Sequence, residues 1–239
     1  MVNVLGQMSE GYHWDQRVLF DQKWKKFLWR SWLFRHIPFI EFVLAAGSMA
    51  LGNVKPESDF DVIISVKSGR IFTARFFSVV AFSIFGWRRK KLSHRESATD
   101  KICLNHFITE KSFQLSPPHN HYWQALYKNL VPILGEPEKI NYFWQANQGW
   151  MEQPQIYQND LRHQNQKFGI MKKFLEIILG GKLGNKLENF LKSAQIKRIK
   201  HGLKNDGLGY QPRIIYNDNE LEFHPDTQRI QNFLQNQKN

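Results

Sequence analysis

VLAAGSMALGNVKPESDFDVIISV, residues 43–66, begins and ends in apolar runs and holds a polar loop between them. The first run extends back to Phe39 as FIEFVLAA, and its continuous apolar character predicts a largely buried strand. Gly47 to Gly52 is expected to turn and open a short helix, and Asn53 to Ser58 to form a loop. Asp59 to Val66 alternates with a period of two, which predicts a second strand. That period sets Asp59 and Asp61 on one face. Two adjacent carboxylates repel one another unless a cation neutralises them. Oxygen-only ligands suit Mg²⁺, which keeps waters and also binds nucleotide phosphates. Gly47 lets the backbone come close to a phosphate, and Ser48 stands where a helix start offers free N–H groups.

An apolar strand, Gly-Ser, ten intervening residues and then Asp59-Phe60-Asp61-Val62 resembles the active-site core of the DNA polymerase β superfamily of nucleotidyltransferases. The resemblance covers mainly Phe39 to Val66 and more loosely the chain as far as Ile108. It implies an α+β fold in which a small mixed sheet flanked by helices carries the site. It also implies a nucleoside triphosphate substrate such as ATP, held through its phosphates at Gly47 and Ser48. Two Mg²⁺ ions are expected, with Asp59 and Asp61 as ligands. An acceptor hydroxyl would attack the α-phosphate in line and pyrophosphate would leave.

Such enzymes usually carry a third carboxylate on a later strand, and here the chain departs from the pattern. Lys101 to Ile108 (KICLNHFI) reads as the third strand, but alternation puts Cys103 and Asn105 on one face. Asp100 at its start is the candidate third acid, with Glu96 and Glu110 nearby in sequence. Asn105 in the third position would weaken metal binding and favour a noncatalytic nucleotide- or nucleic-acid-binding module with the same fold. His106 could serve as base only if its side chain reaches the site. Lys55, in the loop before Asp59, either reaches a phosphate or is simply exposed.

Working outward, 239 residues with 42% hydrophobic content exclude a disordered chain and suit a packed core. The balance of 33 Lys and Arg against 21 acidic residues, +12 overall, favours anionic partners and makes RNA the preferred acceptor over a small molecule or a protein. Arg88, Arg89, Lys90 and Lys91, and later Lys197 and Arg198, could each contact a nucleic-acid backbone or form a solvated helix end. Arg75 lies within an apolar helix and needs a partner, either a core carboxylate or a substrate phosphate. The single cysteine excludes an internal disulfide and a cysteine zinc cluster, which fits the cytoplasm. His119-Asn120-His121 finds no third zinc ligand at a useful spacing.

Ile71 to Trp87 (IFTARFFSVVAFSIFGW) is strongly apolar, yet it is short for a bilayer and Arg75 interrupts it. A buried helix is expected there, and a membrane is not an expected partner. Val18 to Phe34 reads as an amphipathic helix with Trp24, Phe27, Leu28 and Trp32 on one stripe. Composition changes after Ser116-Pro117-Pro118. The chain therefore divides into a catalytic-type region, 1–118, and a mostly helical C-terminal region with a polar tail, 119–239. Helices are expected over 121–131, 139–150, 168–179 and 183–200, with a short strand at 214–216. Nothing in the sequence sets an oligomeric state.

Overall fold

The computed structural model describes residues 4–90, 98–116, 119, 123–124, 127, 129–151, 162, 167–203 and 213–224. Its backbone runs α1 (Val4–Ser31), β1 (Ile40–Ala46), α2 (Gly47–Leu51), β2 (Phe60–Val66), α3 (Ile71–Ile84), β3 (Ile102–Ile108), β4 (Val131–Gly135), α4 (Pro137–Asn147), α5 (Ile170–Leu179), α6 (Lys182–Leu203), β5 (Arg213–Tyr216) and β6 (Glu220–His224). Short 3-10 turns stand at Trp32–His36 and Glu110–Ser112. The fold is α+β: one mixed six-stranded sheet, ordered β4-β1-β2-β3-β6-β5, with helices against it. Only β2 and β3 are parallel neighbours, and α3 supplies the crossover that a parallel pair requires.

Strand alternation sorts the core into two layers. Phe60, Val62, Ile64 and Val66 of β2 point to one side, where they meet Trp24 and Phe27 of α1 and Phe72 and Phe82 of α3. Ile63 points the other way, into a layer with Phe42, Phe113 and Phe143. Phe27 reaches the strand directly, its ring centroid 5.2 Å from that of Phe60. No helix among the described residues is long and apolar enough to cross a membrane. The apolar segment after Ile71 is a helix with Ile71, Phe72, Thr73, Ala74, Ser78 and Phe82 buried.

The region after residue 118 supplies half of the sheet. β4 pairs with β1, and β6 pairs with β3 at His106↔Glu222, Phe107↔Leu221 and Ile108↔Glu220. The strand expected at 214–216 forms as β5, whereas β4 and β6 were not expected. Val131–Gly135 holds a proline, and Glu220–His224 alternates glutamates with apolar residues, so neither has the composition of an ordinary strand. Pro132 is tolerated because β4 is an edge strand.

Candidate metal and nucleotide site

The site forms where the end of β1 meets the start of β2. Register sets Ala46 opposite Asp61 and Asp61 opposite Cys103, so three strands contribute to one row. Gly47 follows Ala46 at φ +66°, a left-handed conformation that a side chain would strain. A Cβ there would stand 2.3 Å from Asp61 Oδ2. The glycine is therefore required twice, for its backbone angle and for the approach of the carboxylate. Ser48 is half-buried in the first turn of α2, and Lys55 is exposed in the loop beyond. The Lys55 N–H donates to Ser58 Oγ at 2.9 Å.

Ligand atoms of Asp59, Asp61 and Cys103 all lie within 4.8 Å of one another. The alternation of the first two is the one read from the sequence. The third member follows from a bulge in β3, since Asp61 pairs with Cys103 but Ile63 already pairs with His106. Asn105 falls inside that irregular step and is buried. Cys103 is fully enclosed, and burial is the main reason its thiol pKa is pushed well up, with the charges of Asp61 and Asp59 adding to it. It also shares a hydrogen bond with Asp61, so at neutral pH the thiol keeps its proton. Two carboxylates match the oxygen preference of Mg²⁺, while a protonated thiol does not.

Arg89 closes the group. Its Nη1 donates to Asp59 Oδ2 at 2.7 Å, both side chains being largely shielded from solvent. Burial opposes the charge on Arg89, but Asp59, Cys103 and Asp61 outweigh it and raise the pKa. The segment that carries Arg89 runs beside β3: the Arg89 N–H donates to Ile102 O at 3.0 Å, and the Ile102 N–H to Trp87 O at 2.7 Å. Arg88 forms the bridge to Ile102 and is half-buried, and Lys90 is exposed. Lys91 and Glu96 lie outside the described residues. A run that reads in the sequence as a nucleic-acid contact or a solvated helix end thus places one guanidinium on the acidic pair. Neither charge nor periodicity signals that placement, because it depends on the backbone pairing after α3.

Asp100, the expected third acid, is occupied elsewhere. Its Oδ1 accepts from Lys23 Nζ at 2.9 Å and its Oδ2 from Lys26 Nζ at 2.5 Å, while its carbonyl accepts from Arg30 Nη1. Burial alone would raise its pKa, yet the hydrogen bonds from Lys26 and Lys23 hold it below the ordinary value. Lys23 is itself buried and also donates to the carbonyls of Pro56 and Ser58. Asp100 therefore clamps α1 to the turn before β3. The group around Asp61 is completed by Cys103 in its place.

A second group, His106, Glu220 and Glu222, is wholly buried further along the same face. His106 Nε2 stands 3.2 Å from Glu220 Oε1, which ties His106 to β6. The alternating glutamates of β6 are its only sequence signal. Glu110 belongs to neither group and lies 3.4 Å from Ser68 Oγ.

Arg75 satisfies its need for a partner with an amide and a ring. Its Nη1 donates to Gln195 Oε1 at 2.7 Å, and the guanidinium lies 5.0 Å from the centroid of Phe223. Burial, then the nearby charges of Arg88 and Arg198, lower its pKa to about 10. Lys197 and Arg198 are exposed near the end of α6. His119 stacks on Trp150 at 4.4 Å and bonds Leu115 O, a packing role.

No protein-family model, no curated protein and no solved structure matches this chain.

Proposed function

We propose that this protein binds a nucleoside triphosphate with Mg²⁺ at Gly47, Ser48, Asp59 and Asp61 and transfers its nucleotidyl group to a hydroxyl acceptor, RNA being the acceptor that the +12 charge favours. One observation carries the reading: Gly47 is pressed against Asp61 in a strand–turn–strand unit that also holds Asp59. Such contact between a phosphate-binding turn and an acidic pair is what joint handling of metal and triphosphate needs. When bound, the metal supplies charge neutralisation at the phosphate under attack. The chain's own work is positional. Asp59 and Asp61 would hold the cation, the backbone around Gly47 and Ser48 would receive the phosphates, and Arg89, which pairs with Asp59, would exchange that carboxylate for a phosphate oxygen.

Cys103 supports a second reading, a nucleotide-binding module without turnover. A protonated thiol where the superfamily has an acid neither binds Mg²⁺ well nor takes a proton from the acceptor.

Label transfer separates the two readings. The protein is incubated with Mg²⁺, each α-labelled nucleoside triphosphate and total RNA. Labelled RNA is expected, with Asp59→Asn and Asp61→Asn each lowering the rate by a factor on the order of 10²–10³. Nucleotide binding without label on RNA, protein or small acceptors favours the binding module. Transfer that survives both substitutions contradicts the proposed site.

A further inference from the structure

Helix α5 wears its amphipathic pattern inside out, whereas α6 packs Leu187, Leu191, Ile196 and Ile199 on the core. In α5 the polar pair faces the protein: Lys172 Nζ meets Glu176 Oε1 at 2.6 Å, and that oxygen accepts the Phe39 N–H at 2.6 Å. Most of its apolar residues face solvent, while Leu175 and Leu179 are half-buried and Leu179 packs against the core. Ile170 is 87% exposed, Ile177 81% and Phe174 57%, with Met171 and Ile178 beside them, and α5 buries no residue at all. An ordinary surface helix does the reverse. Beyond Gly180-Gly181, Leu183 and Phe190 of α6 are exposed as well.

Charge is sorted in the same way. The two acids of residues 167–203 are both turned inward, since Glu176 binds the Phe39 N–H and Glu188 accepts the N–H groups of Phe72 and Thr73. The exposed charges on and just before these helices are basic: Lys167, Lys173, Lys182 and Lys186, with Lys197, Arg198 and Lys200 further along α6. Asp218, exposed, is paired with Lys192 of α6. Among the described residues the charges that α5 and α6 themselves expose are all cationic, which matches a surface that is anionic outside and apolar just beneath. A second copy of this chain would bring two lysine rims together, and a nucleic-acid backbone has no use for the isoleucines and the phenylalanine.

We propose that the α5–α6 hairpin lies on the surface of an anionic bilayer, with Phe174 and Ile177 among the acyl chains and the lysines on headgroup phosphates. The ten residues of α5 span about 15 Å at 1.5 Å per residue, half of a hydrocarbon core, so the hairpin rests in the interface and does not cross it. This docking is independent of the chemistry at Asp59 and Asp61.

Flotation of the full chain with vesicles tests it, using phosphatidylcholine alone or with roughly 30% phosphatidylglycerol at about 0.1 M salt. Binding to the anionic vesicles is expected, at least tenfold stronger than to neutral ones. Phe174→Asp with Ile177→Asp should lower it tenfold or more, and so should Lys173→Glu with Lys186→Glu. All four positions are exposed, and circular dichroism of each double variant verifies the fold. Three results would overturn the proposal: no preference for anionic vesicles, binding that both double variants retain, or a dimer in sedimentation that the aspartate pair dissolves.

Discussion

Cys103 decides at the level of single residues how the acidic pair behaves. An aspartate there would add a third carboxylate beside Asp61 and Asp59, repulsive without a cation and favourable with one. Cys103→Asp should therefore melt below the wild type in a chelating buffer and recover in millimolar Mg²⁺. Its nucleotidyl transfer should rise at least tenfold, read by the same label assay. Gly47→Ala meets both the strained angle and the Asp61 carboxylate. It is expected to cost about 1–3 kcal/mol in urea unfolding and to lower metal affinity by displacing Asp61. Asp100 makes the opposite kind of prediction. Asp100→Ala strands the buried ammonium of Lys23 and should cost about 3–5 kcal/mol while leaving Asp59 and Asp61 in place. The Asp100 pKa is lowered by folding, so its contribution is complete at neutral pH. It is lost in acid as pH falls below the ordinary aspartate value of ~3.9 and through the folded one, a loss that pH-dependent melting of wild type and Asp100→Asn measures. The sequence made Gly47, Asp59 and Asp61 legible because turn chemistry and a period of two are local properties. It could not place Asp100, because a carboxylate at a strand start looks the same whether it meets a metal or the two lysines that it binds here, 77 and 74 residues away in sequence.

Among elements, α3 shows how a helix start is satisfied from a distance. Its own N-cap residue, Arg70, makes no side-chain cap bond, and the Phe72 and Thr73 N–H groups instead donate to Glu188 of α6 at 2.9 and 2.8 Å. A carboxylate also suits the positive end of the helix dipole. Glu188→Ala should lower stability by roughly 2–3 kcal/mol, measured by urea unfolding, with Glu188→Gln losing less. The segment joining α3 to β3 does comparable work for the site. By pairing with Ile102 it delivers Arg89 to Asp59, so Arg89→Ala should weaken the metal-free protein and enlarge the rise in melting temperature that Mg²⁺ produces. The helix at 71–84 and the strands around Asp61 were readable from hydrophobic pattern alone. The bulge that makes Cys103 the neighbour of Asp61 was not, because a one-residue register step leaves no mark on composition.

Across the whole molecule, sequence reading found an α+β fold but underestimated the sheet. Its edges come from β4 and the β5–β6 hairpin, short strands whose proline and glutamates obscure the usual signal. The surplus of positive charge sits on exposed faces that include Lys197 and Arg198. If RNA is the acceptor, its retention should fall steeply as salt rises. Lys197→Glu with Arg198→Glu should weaken it across sequences and flatten that salt slope, as filter binding from low to moderate salt would measure. Asp59 and Asp61 are proposed to hold a metal together with a triphosphate. Titration of Mn²⁺ in place of Mg²⁺, followed by electron paramagnetic resonance in the presence of a nonhydrolysable nucleoside triphosphate, tests it most directly. Bound Mn²⁺ is expected in the wild type, tightened by the nucleotide and lost in Asp59→Asn and Asp61→Asn. Bound Mn²⁺ that neither substitution alters, or no nucleotide-dependent binding in the wild type, would contradict it.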